Sequence, residues 1–296
     1  MFLMIKVINV KVSYLKELRT LLKHSEKVEE KMKNVIVIGI DGLGGKYINQ
    51  ENAPFISNLF LEGTYTKEMQ NVALTTSGPN WMSMFTGVDS KKHGVVDDNW
   101  KSRKNKSSKF PTIFQILDAK KQDFAVFYTG TLKPAMEQDI IRTRSYNAQW
   151  FLTDRGALKS AINKIRAKKQ PEFMFLHFDY VDIFGHIFGY GSRPYNWMVK
   201  RADSKVEEFI NVLKEEDIYQ NTVLIVTSDH GGFGKSHGGD TPEERSTFFV
   251  IRGPDIAKNQ RIQRKVRIFD IMPTIAYFLK LKNKKIDGKL ITETFK

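Results

Sequence analysis

The 296-residue sequence has no cysteine. A disulfide framework is therefore excluded, and any bound metal must be held mainly by histidine and carboxylate. The absence of cysteine also fits a reducing compartment. No apolar run approaches the roughly 18 residues of a membrane span, so no spanning helix is expected. Residues 1–31 lack both glycine and proline. Their apolar part is interrupted by Lys6 and Lys11, with no small-residue cleavage site after it. They do not read as a signal peptide, and a cytoplasmic location is the expectation. Acidic residues are in deficit, with 33 Asp and Glu against 47 Lys and Arg, for a formal net charge of +14. That charge suits a nucleic-acid or acidic-membrane surface, or a field that steers a phosphorylated substrate. The lysines are scattered, however, as at Lys280, Lys282, Lys284, Lys285 and Lys289. No basic helix or aromatic-interleaved strand resembles a nucleic-acid module. A solvated lysine-rich surface is the plainer account, with steering second, and no specific nucleic-acid partner is expected.

What is present is an ordinary globular composition, 41% apolar and 27% charged, on a chain long enough for a full core. Met32 opens MKNVIVIGIDG, which reads as the start of a domain. Residues 1–31 are accordingly an N-terminal extension and 32–296 one folded domain, with a translation start at Met32 as a hypothesis. Asn34–Ile40, Glu172–Phe178 and Thr222–Thr227 are apolar, β-branched or aromatic runs that read as strands buried on both faces. Asp123–Tyr128 and Ser246–Ile251 are further strands. A helix opens near Asn52, with Asn52 as cap and Pro54 in its first turn. Another begins at Ser77, with Pro79 in its first turn, and runs through Met84. Val95–Phe110 is a polar basic loop, and helices are expected over Pro111–Leu117, Ala157–Ala167, Tyr195–Leu213 and Ile268–Leu279. Strands alternating with helices predict an α/β fold, a mainly parallel sheet covered on both faces.

Three of the buried strands end in residues that bind cations. Asp41 follows the first, Asp182 and His186 the second, and Asp229, His230 and His237 the third. In open α/β sheets the carboxyl ends of the strands gather on one edge, where ligands bind. Asp182 and His186 are four apart, so one helical turn places them on the same side, and Gly185 leaves room for close approach. Singly, each has an ordinary reading: Asp41-Gly42 a turn, His177 a satisfied core residue, Ser77 a helix cap. Together they divide into two metal sets, and ions about 4 Å apart clamp the oxygens of an in-line displacement at phosphorus. Ser77 is then the candidate nucleophile, at a helix start whose N–H groups face an anion. Asn80 is the candidate donor to a phosphoryl oxygen.

Five segments, VIVIGIDGLGG, TTSGPNWMSMFTGVDSKKHGV, HFDYVDIFGHIFGYGS, TSDHGGFGKSHGG and RIFDIMPTIAYFL, occur in that order. They resemble the alkaline phosphatase superfamily, in particular its nucleotide pyrophosphatase/phosphodiesterase-like branch. The resemblance runs from about Asn34 to Gly288 and implies that residues 32–296 form a catalytic domain of that fold. It implies that Asp41, Ser77, Asp229 and His230 hold one zinc and Asp182, His186 and His237 the other, with manganese as an alternative. It selects Ser77 over Thr75 and Thr76 as nucleophile. It suggests that Gly87 through His93-Gly94 is a structural signature near the nucleophile helix, so His93 is expected to support the site or the fold, and it gives Asp270–Thr274 a packing role. The activity implied is hydrolysis of phosphoric esters, diesters or nucleotide pyrophosphates, through a phosphoryl- or nucleotidyl-serine on a small phosphorylated substrate.

Two departures stand out. The chain lacks the long insertions that cap the site in relatives, and Trp81 stands where many nucleotide-cleaving relatives carry histidine. Trp81 also stands where the sulfatase frame needs arginine, although Ser77-Gly-Pro79 fits that frame. Trp81, Trp100 and Tyr190 are candidates to stack on a leaving group. The alternatives are a phosphomonoesterase or sulfatase-like hydrolase, or a catalytically silent protein that binds phosphate or nucleic acid.

Overall fold

The computed structural model describes residues 34–98, 109–133, 148–168, 170–282 and 286–295. The expectations for residues 1–31, for a start at Met32 and for Trp100 lie outside them. In chain order the elements are β1 (Asn34–Ile40), α1 (Pro54–Glu62), β2 (Thr64–Gln70), α2 (Ser77–Thr86), α3 (Ser90–His93), α4 (Ile113–Ala119), β3 (Phe124–Thr129), β4 (Ala148–Phe151), α5 (Asp154–Arg166), β5 (Phe173–Phe178), α6 (Tyr180–Phe188), α7 (Arg193–Glu215), β6 (Thr222–Thr227), α8 (Pro242–Arg245), β7 (Ser246–Arg252), β8 (Gln260–Arg261) and α9 (Ile271–Phe278).

One eight-stranded sheet runs in the order β4-β3-β5-β1-β6-β7-β2-β8. The five strands from β4 to β6 are parallel. β7 is antiparallel to both β6 and β2, and β8 pairs parallel with β2. The expected mainly parallel sheet is therefore present, with an antiparallel strand at one side. β1 is central because successive side chains enter opposite layers, and both layers are apolar. Val35 and Val37 pack with Trp81, Phe85, Phe114 and Phe175 on one face. Ile36, Ile38 and Ile40 pack with Phe178, Tyr195, Phe209 and Phe248 on the other. Each such side chain contributes about 1.5–3 kcal/mol on full burial. The register aligns Gly39 with both His177 and Thr227. Asp41, the residues after β5 and those after β6 therefore leave the sheet at one edge.

Local signals misplace some boundaries. Ala53, not Asn52, is the N-cap of α1, and it makes no side-chain capping bond. The Asn52 amide instead donates to Asn49 Oδ1 at 2.9 Å. The open N–H groups of Phe55 and Ile56 donate to the Asp203 carboxylate of α7 at 3.0 and 2.8 Å, a cap supplied from 147 residues away. α4 starts after Pro111, where Thr112 and Gln115 form a reciprocal capping box. The closing helix splits into a 3₁₀ turn, Ile268–Asp270, and then α9. The Asp270 carboxylate pins that turn by accepting the N–H groups of Arg267 and Lys289.

Candidate active site

The first loop is fastened to the last before any ligand is considered. Gly42 donates its N–H to Asp229 Oδ1 at 3.1 Å, and Leu43 donates to Ser228 Oγ at 2.9 Å. Gly42 takes φ +69°, and a Cβ there would lie 2.5 Å from Asp182 Oδ1. Glycine is needed both for the left-handed backbone and for this approach. α6 starts directly after β5, so Asp182 and His186 stack one turn apart, with Asp182 Oδ2 at 3.2 Å from His186 Nε2.

The expected ligands gather in the expected sets. Asp41, Asp229 and His230 offer donor atoms within 4.8 Å of one another, and so do Asp182, His186 and His237. The Ser77 hydroxyl lies beside the first set, donating to Asp41 Oδ1 at 3.2 Å and standing 3.1 Å from His230 Nε2. The sets adjoin, since the His230 and His237 rings stack with centroids 3.8 Å apart.

Three histidines meet backbone carbonyls through Nδ1: His186 with Lys235 at 3.0 Å, His230 with Gly231 at 2.8 Å and His237 with Thr75 at 2.8 Å. A carbonyl only accepts, so each Nδ1 carries a proton and each Nε2 is turned toward the cluster, offering a lone pair whenever the ring is neutral. His186 and His237 bring these Nε2 atoms to 3.0 Å from each other. Asp229 Oδ2 is fully buried with no hydrogen-bond partner. Facing lone pairs and an orphaned carboxylate oxygen fit cations in both sets.

The electrostatics agree. Burial opposes the Asp41 charge, but hydrogen bonds from His177 and His230 hold its carboxyl well below the usual range. Burial and the neighbouring Asp41 charge push Asp229 well above that range. Burial opposes the charge on His230, but the Asp229, Asp41 and Asp182 carboxylates outweigh it and hold the ring well above its usual value. In the metal-free cluster a proton on His230 thus stands in for a cation. Burial, and then the charge on His230, lower His237 to about 4, which leaves its Nε2 unprotonated at neutral pH.

Other candidates fall in different places from those expected. Asn80 is wholly buried; its Nδ2 donates to the Leu74 and Thr76 carbonyls, both at 2.9 Å, and its Oδ1 accepts the Val72 N–H at 2.8 Å. Its amide shapes the loop before Ser77 rather than facing a phosphoryl group. Trp81 is also wholly buried and does not line a leaving-group surface; its Nε1 donates to Asp41 Oδ2 at 3.0 Å. Tyr190 points its hydroxyl to Asp182 Oδ1. The space spared by Gly185 is filled by the Tyr190 ring, which a Cβ there would meet at 2.6 Å. His93, also buried, bonds Ser83 Oγ at 2.9 Å and supports α2 from behind.

His177 does more than fill the core. Its Nε2 lies 3.2 Å from Asp41 Oδ2, so histidine and indole together orient the carboxylate. Asp41, His177 and Asp179 also bring ligand atoms within 4.8 Å of one another. The signal was available, since a histidine inside the apolar run FMFLHF needs a polar partner in the core. Asp98, not singled out from sequence, accepts the Gly78 N–H at 2.6 Å in the first turn of α2.

A serine at a helix start thus lies beside carboxylate and histidine sets that could hold metal ions, on the carboxyl edge of an α/β sheet. The family model for type I phosphodiesterase / nucleotide pyrophosphatase matches residues 35–238, and the chain belongs to that family. Bis(5'-adenosyl)-triphosphatase ENPP4 of Pongo abelii is 23% identical over 214 residues, covering 67% of this chain and 47% of the relative. Human ectonucleotide pyrophosphatase/phosphodiesterase family member 5 is 25% identical over 213 residues, covering 67% and 44%. The chain thus spans about half the length of the curated relatives it matches. Murine ectonucleotide pyrophosphatase/phosphodiesterase 5, solved in an inactive form with AMP, superposes with a TM-score of 0.74 at 16% identity, covering 89% of this chain and 100% of that one. BT1596, a 2-O glycosaminoglycan sulfatase, superposes at 0.70 and 12% identity, covering 89% and 74%. The fold is the alkaline phosphatase-like one expected.

Proposed function

We propose that this chain is a metal-dependent hydrolase of phosphoric esters, acting on phosphodiesters or nucleotide pyrophosphates through a covalent phosphoryl- or nucleotidyl-serine at Ser77. The observation that carries the reading is the Ser77 hydroxyl, 3.2 Å from Asp41 Oδ1 and 3.1 Å from His230 Nε2, beside two sets of inward-facing donors. Asp41, Ser77, Asp229 and His230 would hold one divalent cation, and Asp182, His186 and His237 the other. Imidazole and carboxylate donors suit zinc, with manganese as the alternative. When bound, such ions ease ionisation of a hydroxyl and balance charge on the phosphoryl oxygens.

The chain's own residues supply direction. His230 Nε2 and Asp41 Oδ1, at 3.1 and 3.2 Å, are the groups within reach of the hydroxyl proton, and His177 and Trp81 hold the Asp41 carboxylate from behind. Ser77 Oγ then bonds to phosphorus as the bond to the departing oxygen breaks. Water attacks the seryl ester from the vacated side, returning the serine and releasing the phosphorylated product. The adenosine groups in the name of ENPP4 and in the ENPP5 complex favour nucleotide pyrophosphates among small phosphorylated substrates.

The test is hydrolysis of bis-p-nitrophenyl phosphate with added Zn²⁺ or Mn²⁺, wild type against Ser77→Ala. A loss on the order of 10³-fold or more is expected, because removing a nucleophile abolishes the covalent route. Equal rates would overturn Ser77. A panel of dinucleoside polyphosphates, nucleotide sugars and lipid head-group diesters then identifies the substrate.

A further inference from the structure

We propose that Asp98 is the selectivity residue of this site: its carboxylate holds the Gly78 amide, which lies beside the nucleophile, and so disfavours doubly charged phosphoryl groups. The inference rests on the reading of Ser77 as the attacking group. It gives a substrate class, singly charged phosphodiesters in preference to phosphomonoesters, with weak retention of orthophosphate.

The first N–H groups of a helix have no intrahelical partner, and they are where an anion docks. In α2 the N-cap Thr76 makes no side-chain bond and the first turn carries no acid of its own. The Gly78 N–H, next to Ser77, is met instead by Asp98 Oδ1 at 2.6 Å. Asn80, the other candidate donor, spends both its amide bonds on loop carbonyls. The approach is built into the backbone. A Cβ at position 78 would lie 2.4 Å from the Asp97 carbonyl oxygen and 3.1 Å from Asp98 Oδ1, so glycine there is what lets the two segments meet.

A phosphoryl group attacked by Ser77 must bring a non-bridging oxygen to this amide or leave it to Asp98. If Asp98 stays, a diester places one negative charge beside it and a monoester or orthophosphate places two. One extra charge a few ångströms away, at an effective dielectric near 20, is worth at least about tenfold in binding. Asp98 is exposed, so its side chain has solvent to turn into when displaced. A plain capping role would also give this hydrogen bond, but it would predict no dependence on the charge of the ligand.

Asp98→Asn separates these accounts, because it keeps an oxygen acceptor for Gly78 and removes only the charge. Asp98→Ala removes both, and Asp97→Asn removes a charge one residue away. Orthophosphate affinity of the metal-loaded full-length protein is read by calorimetry. In parallel, kcat/KM is measured for bis- and mono-p-nitrophenyl phosphate. Asp98→Asn and Asp98→Ala should bind orthophosphate at least about tenfold more tightly and narrow the diester-to-monoester ratio by a similar factor, with Asp97→Asn within about twofold of wild type. Orthophosphate binding by Asp98→Asn that is equal to or weaker than wild type overturns the proposal, whether or not diester is turned over. Failure of the Ser77 reading appears separately, as undiminished turnover in Ser77→Ala.

Discussion

Replacing Asp229 with asparagine should make the metal-free protein more stable and the metal-loaded protein less stable. Asp229 is fully buried; its Oδ1 accepts the Gly42 N–H, while Oδ2 has no hydrogen-bond partner and stands 3.4 Å from His230 Nε2. Burial and the Asp41 charge raise its carboxyl far above the usual value. A raised folded-state value costs nothing below the unfolded carboxyl value, near pH 4. The cost grows as pH rises from there through the folded value, so at neutral pH the metal-free protein carries it. Asparagine keeps the shape and the acceptor for Gly42 and removes the charge. Relieving a buried charge that His230 only partly balances returns about 2 kcal/mol, or roughly 4–8 °C in Tm for a domain near this size. In the loaded protein the same change removes a ligand. Loss of a group that merely supports a ligand already costs about 10–100-fold in metal affinity, and stabilisation by binding falls about 1.4 kcal/mol per decade. Thermal melts in chelator and in excess Zn²⁺ should therefore cross: Asp229→Asn melts above wild type without metal and below it with metal. The metal-free advantage should shrink as pH is lowered toward 4. Metal-free Asp229→Asn melting below metal-free wild type would refute the reasoning.

The division into two ligand sets makes His237→Ala a selective lesion. It should remove the cation of Asp182 and His186 while sparing that of Asp41, Asp229 and His230, halving the metal per chain measured by atomic emission. Trp81→Phe tests the carboxylate support, since it keeps an aromatic ring but deletes the indole N–H that meets Asp41 Oδ2. A hydrogen bond to a charged group is worth about 1.5–3 kcal/mol, so kcat should fall roughly tenfold or more. Unchanged kcat would return Trp81 to a packing role.

How much was legible depended on whether a residue's partners lay close in sequence. β1 and β6 were bounded correctly from apolar run length alone, because a strand buried on both faces has no polar positions to confuse its limits. The start of α2 followed from Pro79. The gathering of the candidate ligands was legible because they follow buried strands, and the sheet register delivers those ends to one edge. What failed was tertiary. Asp203 caps α1 from a helix far down the chain, so the local Asn52 signal pointed to the wrong residue. β4, with exposed Gln149 and Trp150, shows no apolar run and owes its strand form to pairing with β3. Asn80 and Trp81 have the chemistry to meet a substrate, but their orientation depends on whether helix α2 presents them to the cleft or to the core. The core takes them: Trp81 lies against Phe175 and His177.

Besides the stacked His230 and His237 rings, the two residue sets are tied together through Thr75. Its carbonyl accepts from His237 Nδ1 at 2.8 Å, its Oγ1 accepts the Gly238 N–H at 2.7 Å, and the same hydroxyl donates to the Gly239 carbonyl at 3.0 Å. Gly239 in turn donates to the Glu244 carboxylate at 2.9 Å, which closes the capping box of α8 with Thr241. The segment 222–240 therefore leaves β6, sets Asp229 and His230 beside Ser77, and returns to grip the backbone two residues before that serine. A shift of the Ser77 loop must carry His237 with it, or break a bond that fixes the tautomer of the imidazole. With only the first set occupied, His237 would keep its bond to Thr75 and its stack on His230 while its Nε2 faced that of His186 at 3.0 Å. The backbone before Ser77 is thus tied to His237 of the other set.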